Sequence, residues 1–198
     1  MPNPKQSTSL TRCPWCERSE LEKAYHDTEW GVPVHDDRLL FEMLILEGCQ
    51  AGLSWTTVLQ KRGNYQEVYK NFELGKVAKL TDAYLEKQLQ NEGIVRNRLK
   101  VFGARTNARA FMAVQKEFNS FDRYLWQFVN GKPLQPNHAT IKTVPASTPH
   151  SDALSKDLKK RGFTFVGTTI MYAFMQAVGL TNDHITACHR HAAVAKLK

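Results

Sequence analysis

Apolar side chains in this chain recur at spacings of three and four, the period of helices, and nowhere alternate convincingly as strands do. The densest stretch runs from Asp37 to Leu53. There Leu39, Leu40, Met43, Leu44 and Ile45 fall at helical spacing around Glu42 and Glu47. Ser54 is placed to cap a second helix through residues 55–62, and Thr81 a third through 82–90. Asn91-Glu92-Gly93 breaks the pattern, which resumes from about Asn97 to Glu117 with Leu99, Phe102, Ala110 and Val114 among its apolar positions. Another helix is expected from Phe121 to Val129. Residues 131–150 hold four prolines and no periodic face, so they read as a long ordered loop. Ser151 with Asp152 then opens a helix that ends at Lys159 and Lys160. Gly162 and Gly167 punctuate a turn, and Thr168 to Val178 forms one more helix. The expected fold class is therefore all-α, with a loose polar tail over residues 1–11 and a single domain over 12–198.

Composition narrows the picture. Apolar residues make up 42% and charged residues 23%, a globular balance rather than a disordered one. No run approaches the roughly 18 uninterrupted apolar residues of a membrane helix. The first ten residues lack an apolar signal core, so export is not expected and the cytoplasm is the default compartment. A net charge of +8 favours polyanionic partners, because Lys and Arg at phosphates release condensed counterions.

Three groups of residues carry candidate chemistry. Residues 153–179 read as helix, glycine turn, helix, the form of a helix-hairpin-helix DNA-binding element. Gly162, Gly167, Thr168 and Thr169 would offer backbone N–H groups to a phosphate, with Lys159, Lys160 and Arg161 close by. The plainer reading is an αα-hairpin with a solvated basic face.

The second group is metal-ligating. Cys13, His26, His184 and Cys188 are soft or borderline donors, and His184 and Cys188 are four apart, one face of a helix. Cys13 and Cys16 with His189 or His191 form a competing set, and hydrogen-bonded histidines without metal are the plain alternative. Cys49 reads as a buried thiol.

Glu47 is the third. It lies in the most apolar part of the chain, where a carboxylate is costly unless paired or functional. An exposed face of an amphipathic helix is the alternative, and it describes Glu42 well. Tyr25, Trp15, Trp30 and Trp55 are either core or the walls of a base-stacking pocket.

Taken in order, CPW at 13–15, YHDTEWGVP at 25–33, LFEMLILEGCQAGLSW at 40–55 and the run from Ser151 to His184 resemble the DNA-3-methyladenine glycosylase I family over nearly the whole chain. The resemblance implies the helix-hairpin-helix glycosylase fold, two helical subdomains, and one structural Zn2+ per chain joining the termini through Cys13, His26, His184 and Cys188. It implies that Glu47 and Tyr25 contact the methylated base, that Trp55 stacks on it, and that Trp15 and Trp30 wall the pocket. Gly52 and Leu53 match the turn that enters the gap in the duplex. Glu47 is the candidate catalytic residue, acting through recognition of a cationic base.

Two departures matter. An aromatic common three residues before the tyrosine is Glu22 here. Asn182 stands where the wider superfamily has its catalytic Asp, and the Schiff-base lysine of strand-cleaving members is missing near Gly167, where Thr168 and Thr169 stand. The implied activity is monofunctional hydrolysis of the N-glycosidic bond of 3-methyladenine in alkylated double-stranded DNA, by a monomer with no membrane partner, releasing free 3-methyladenine. The alternatives are a zinc-stapled DNA-binding module without catalysis and a metal-dependent hydrolase of small molecules.

Overall fold

The computed structural model describes residues 10–197, and its ordered elements are helical. The expected tail lies outside the described residues over 1–9. Ten α-helices follow in order: α1 (Glu20–Thr28), α2 (Asp37–Gln50), α3 (Trp55–Val68), α4 (Leu74–Val77), α5 (Asp82–Gln88), α6 (Arg98–Phe118), α7 (Phe121–Trp126), α8 (Pro149–Lys160), α9 (Thr168–Ala177) and α10 (His191–Val194). The sole β-type pairing among the described residues is an isolated bridge between Leu134 and Thr181. Among the described residues, no helix is long and apolar enough to cross a membrane.

Helix α2 is the hub. Asp36 caps it by accepting from the Leu39 amide at 2.8 Å, and every residue from Leu40 to Cys49 is buried. It packs against α3, α6, α7 and α9, which is why its sequence is apolar nearly all round. Truncating a fully buried side chain such as Leu44 or Leu46 to alanine should cost about 2–5 kcal/mol. Glu42 departs from its expected solvated position. It is 1% exposed and accepts from Arg62 Nε at 2.8 Å and Gln66 Nε2 at 3.0 Å, so a charge pair holds it where the helix has no exposed face.

Helix α3 runs six residues past the expected end, because Tyr65 and Val68 continue its buried face beyond Gly63. Helix α6 buries Val101, Ala104, Ala108, Phe111 and Val114, while Leu99 points to solvent at 72% exposure, against expectation. Lys100 is nearly buried instead. Its ammonium donates to the carbonyls of Cys49 at 2.9 Å and Ala51 at 2.7 Å, closing the C-terminal end of α2.

Helix α8 starts at Pro149, two residues early, because Thr148 and Ser151 form a reciprocal cap with proline in the first turn. The turn into α9 passes Gly162 at a φ of +86° and is pinned to α6 by Asn107. That side chain accepts from the Thr164 amide at 2.8 Å and donates to its carbonyl at 3.0 Å. Residues 131–148 are mostly irregular, with one 3-10 turn at Ile141–Thr143.

Candidate active site

Segments from near both ends of the described residues meet around four buried donors. Cys13 precedes a 3-10 turn at Pro14–Arg18, His26 sits on α1, and His184 and Cys188 follow α9. Their ligand atoms all lie within 4.8 Å of one another. Cys13 Sγ is 3.7 Å from His184 Nδ1, Cys188 Sγ is 3.6 Å from the same atom and 3.5 Å from His26 Nε2, and the two imidazole nitrogens are 3.2 Å apart. A tetrahedral site with bonds of about 2.0–2.3 Å has edges of about 3.3–3.8 Å, so the donor set fits a four-coordinate metal.

The outer nitrogens are held as well. His26 Nδ1 is 2.8 Å from Asp27 Oδ1, and Arg12 in turn fixes Asp27; His184 Nε2 is 3.0 Å from the Trp30 carbonyl oxygen. Asp27, beside His26 in the sequence, carried no signal beyond its position. The Cys188 thiol is held well below the usual range by the Cys13 thiol, with both imidazoles adding to this.

Two expectations change here. Residues 183–190 form turns rather than a helix, because Asn182 Nδ2 ties back to the His191 carbonyl and the Thr186 amide donates to the His138 carbonyl; the four-residue spacing still brings His184 and Cys188 together. Cys16 Sγ donates to the Cys13 carbonyl at 3.1 Å and does not join the cluster, nor do His189 and His191.

The cluster supports one wall of a cavity of about 460 Å³. Trp15, two residues after Cys13, meets His26 edge-on at 5.6 Å between ring centres and Trp30 at 5.1 Å. Trp55, the first residue of α3, lies 5.3 Å from Tyr25. These four aromatics line it together with Glu22, Glu47 and Leu53. Thr169, Tyr172, Gln176 and Asp183 from α9 and the segment after it, and Ile141, Val144 and Pro145 from the irregular stretch before α8, complete the lining.

Glu47 is 5% exposed, and burial pushes its carboxyl up to about 8. Without a ligand it is therefore mostly protonated at neutral pH, and a cation placed beside it would favour the anion.

Asn182 and Asp183 divide differently from their places in the sequence. Asn182 is buried away from the cavity on Gln135 and the His191 carbonyl. Asp183 accepts from Tyr172 Oη, Gln176 Nε2 at 2.7 Å and Thr181 Oγ1 at 2.8 Å, and it reaches the cavity wall. Tyr172 and Gln176 carried no distinguishing pattern in the sequence, since on α9 they read as ordinary helix positions.

The residues expected at DNA lie apart from the cluster. Gly52, at a φ of +82°, and Leu53, 40% exposed, form an open turn at the cavity mouth, anchored by Lys100. Lys159 and Lys160 are exposed on the last turn of α8. Gly167 caps α9, and Thr168 Oγ1 turns inward to Asp152 and Ser151. Arg161 is diverted to Glu117 at 2.7 Å and Asp157, its guanidinium lying over Phe118 and Tyr124.

A methyladenine glycosylase family model matches residues 15–191. DNA-3-methyladenine glycosylase 1 of Escherichia coli is 49% identical over 179 residues, 90% of this chain and 96% of that protein. The DNA-3-methyladenine glycosylase of Haemophilus influenzae is 46% identical over 178 residues, with the same coverage. A crystal structure of 3-methyladenine DNA glycosylase I superposes with a TM-score of 0.89 at 52% identity, covering 91% of this chain and 100% of that one. The Staphylococcus aureus enzyme, solved for the basis of its 3-methyladenine recognition, superposes with a TM-score of 0.88 at 33% identity, covering 91% and 96%. With a matched span that takes in every wall of the cavity, the chain belongs to the methyladenine glycosylase family.

Proposed function

We propose that this chain is a DNA base-excision repair glycosylase that hydrolyses the N-glycosidic bond of 3-methyladenine in alkylated duplex DNA and leaves the strand intact. One observation carries the reading: four aromatic side chains wall a cavity around a buried carboxyl, in a chain whose near full-length relatives are named for this base. Methylation at N3 gives the adenine a positive charge, so its glycosidic bond is already weak and the base leaves neutral. The protein must extrude the nucleotide, at a few kcal/mol of unstacking, and recognise the lesion.

Each residue then has a task. Trp55 stacks on the flipped base, and its face attracts a cationic ring more than a neutral one. Tyr25 and Glu47 meet the polar edge, while Trp15 and Trp30 complete the walls. The arriving cation draws the proton off Glu47, so a normal adenine is refused the charge-assisted hydrogen bond that the lesion receives. Gly52 and Leu53 fill the gap left in the duplex. The backbone of the α8–α9 turn at Gly162, Gly167 and Thr168, with Lys159 and Lys160, holds phosphates as a helix-hairpin-helix element. No lysine lines the cavity among the described residues, which supports a monofunctional reaction without a Schiff base.

Cys13, His26, His184 and Cys188 would hold one zinc ion. Four protein ligands fill a tetrahedral zinc, so the ion would supply folding energy and rigidity rather than an open position for chemistry. On this reading the protein is a monomer in the cytoplasm, acting on double-stranded DNA that contains alkylated bases.

The test is product identification. Incubated with methylated duplex DNA, the protein should release 3-methyladenine and leave abasic sites in unbroken strands. Binding without base release would favour a zinc-stapled DNA-binding module, and trapping of a covalent adduct by borohydride would contradict the monofunctional reading.

A further inference from the structure

Helix α1 buries Glu22, Tyr25 and His26 along one side, which places Glu22 one turn ahead of Tyr25 at the cavity wall. Glu22 is 1% exposed. Its Oε1 accepts from Thr56 Oγ1 at 2.6 Å, and Thr56 follows Trp55 in the first turn of α3. This bond fixes the carboxylate next to the ring proposed to stack on the base. The second oxygen, Oε2, is buried and meets no donor.

Buried carboxylate oxygens without a partner are rare, and one at a cavity wall invites a donor from a ligand. Three other residues that line the cavity are in the same condition: Trp15 Nε1, Tyr25 Oη and Trp55 Nε1 are buried and unpaired. All three offer N–H or O–H groups, whereas Glu22 alone among these four atoms can only accept. The family resemblance puts an aromatic at this position, so this chain exchanges stacking surface for a hydrogen-bond acceptor.

We propose that Glu22 is a specificity-determining residue, which accepts an N–H of the flipped base on Oε2 and turns the pocket toward N-alkylated purines carrying donors at two positions. The proposal rests on the glycosylase reading and deepens it. In 3-methyladenine the only N–H donor is the exocyclic amine, which Glu47 can take, and the neighbouring ring nitrogen is an acceptor that a carboxylate repels. 3-Methylguanine presents a ring N–H and an amine side by side. With Oε1 already held by Thr56, Glu22 has one oxygen left to offer, which the ring N–H of such a base occupies while Glu47 takes the amine.

Free 3-methyladenine and 3-methylguanine titrated into the full chain, the Glu22→Gln variant and the Glu22→Phe variant read this directly. The Gln variant is nearly isosteric, and the Phe variant restores an aromatic. In both, the affinity for 3-methylguanine relative to 3-methyladenine should fall about tenfold or more, in line with the loss of a charge-assisted hydrogen bond. Thermal unfolding of each variant separates a misfolded protein from an altered pocket. A relative affinity unchanged in the folded Gln variant overturns the proposal, as does an equal loss for both bases. Failure of the glycosylase reading would look different, because the unaltered chain would then release no 3-methyladenine from methylated DNA.

Discussion

The Nε2 atom of His184 lies 3.0 Å from the carbonyl oxygen of Trp30, so the donor cluster and the aromatic cavity share a wall. Trp30 also meets His184 ring to ring at 4.6 Å between centres, and it stacks on His26 at 6.0 Å. Folding at the cluster and shape at the cavity are therefore coupled.

Metal content should report this coupling. The chain should bind one zinc ion, and Cys13→Ser or Cys188→Ser should lose it. Stability should drop by at least about 3 kcal/mol, within the roughly 10–16 kcal/mol that structural zinc supplies to isolated fingers. Because Trp30 shares the wall, affinity for 3-methyladenine should fall too. Metal analysis of Cys188→Ser beside its thermal unfolding tests both, and an unchanged zinc content would contradict the assignment.

Glu47 makes a pH-dependent cost visible. Its carboxyl is raised from 4.5 to about 8 by burial, so the folded state binds the proton more tightly than the unfolded chain. The stability that comes from this proton is fully present below about pH 4.5 and is lost as pH rises toward 8. At 1.36 kcal/mol per unit the loss is roughly 4–5 kcal/mol. Glu47→Gln carries no such proton. The variant should unfold at a higher temperature than the parent at pH 8, and the gain should shrink toward pH 4.5. Thermal melts across that range check it, and a gain that does not vary with pH would place Glu47 in solvent.

Much of the fold and the site is legible in the sequence. The apolar run around α2 and the caps at Ser54 and Thr81 stand in the chain as local patterns, and local patterns act through short-range physics. Cys13, His26, His184 and Cys188, in contrast, come from both ends of the chain and are singled out from the competing set only through the family resemblance. What stays hidden depends on partners far along the chain. Glu42 reads as solvated until Arg62, twenty residues later, folds against it. Lys100 carries no local sign of burial, and its place comes from the carbonyls it closes at the end of α2. Leu99 has the spacing of a core residue, but the buried stripe of α6 begins at Val101 and leaves it outside. Tyr172 and Gln176 come to the cavity only because α9 packs on α2.

Lys159 and Lys160 sit exposed on α8, while Arg161 is already held by Glu117 and Asp157. The two lysines, and not the arginine, should contact phosphate. Affinity for abasic duplex should fall steeply with salt. Lys159→Ala or Lys160→Ala should flatten the logarithmic slope by about one unit for each phosphate that is no longer neutralised. Arg161→Ala should act mainly on stability. Salt titrations of the three variants check this, and equal slopes in both lysine variants and the parent would remove the turn from the DNA interface.

The central claim is that the cavity reads a methylated base through Glu47. Free 3-methyladenine and adenine should be titrated into the parent and Glu47→Gln just above the value of about 8, where the parent carboxylate is charged. The variant should bind 3-methyladenine about 10- to 100-fold more weakly, as expected for a lost charge-assisted hydrogen bond of about 1.5–3 kcal/mol. Equal affinity for 3-methyladenine in parent and variant would contradict the account.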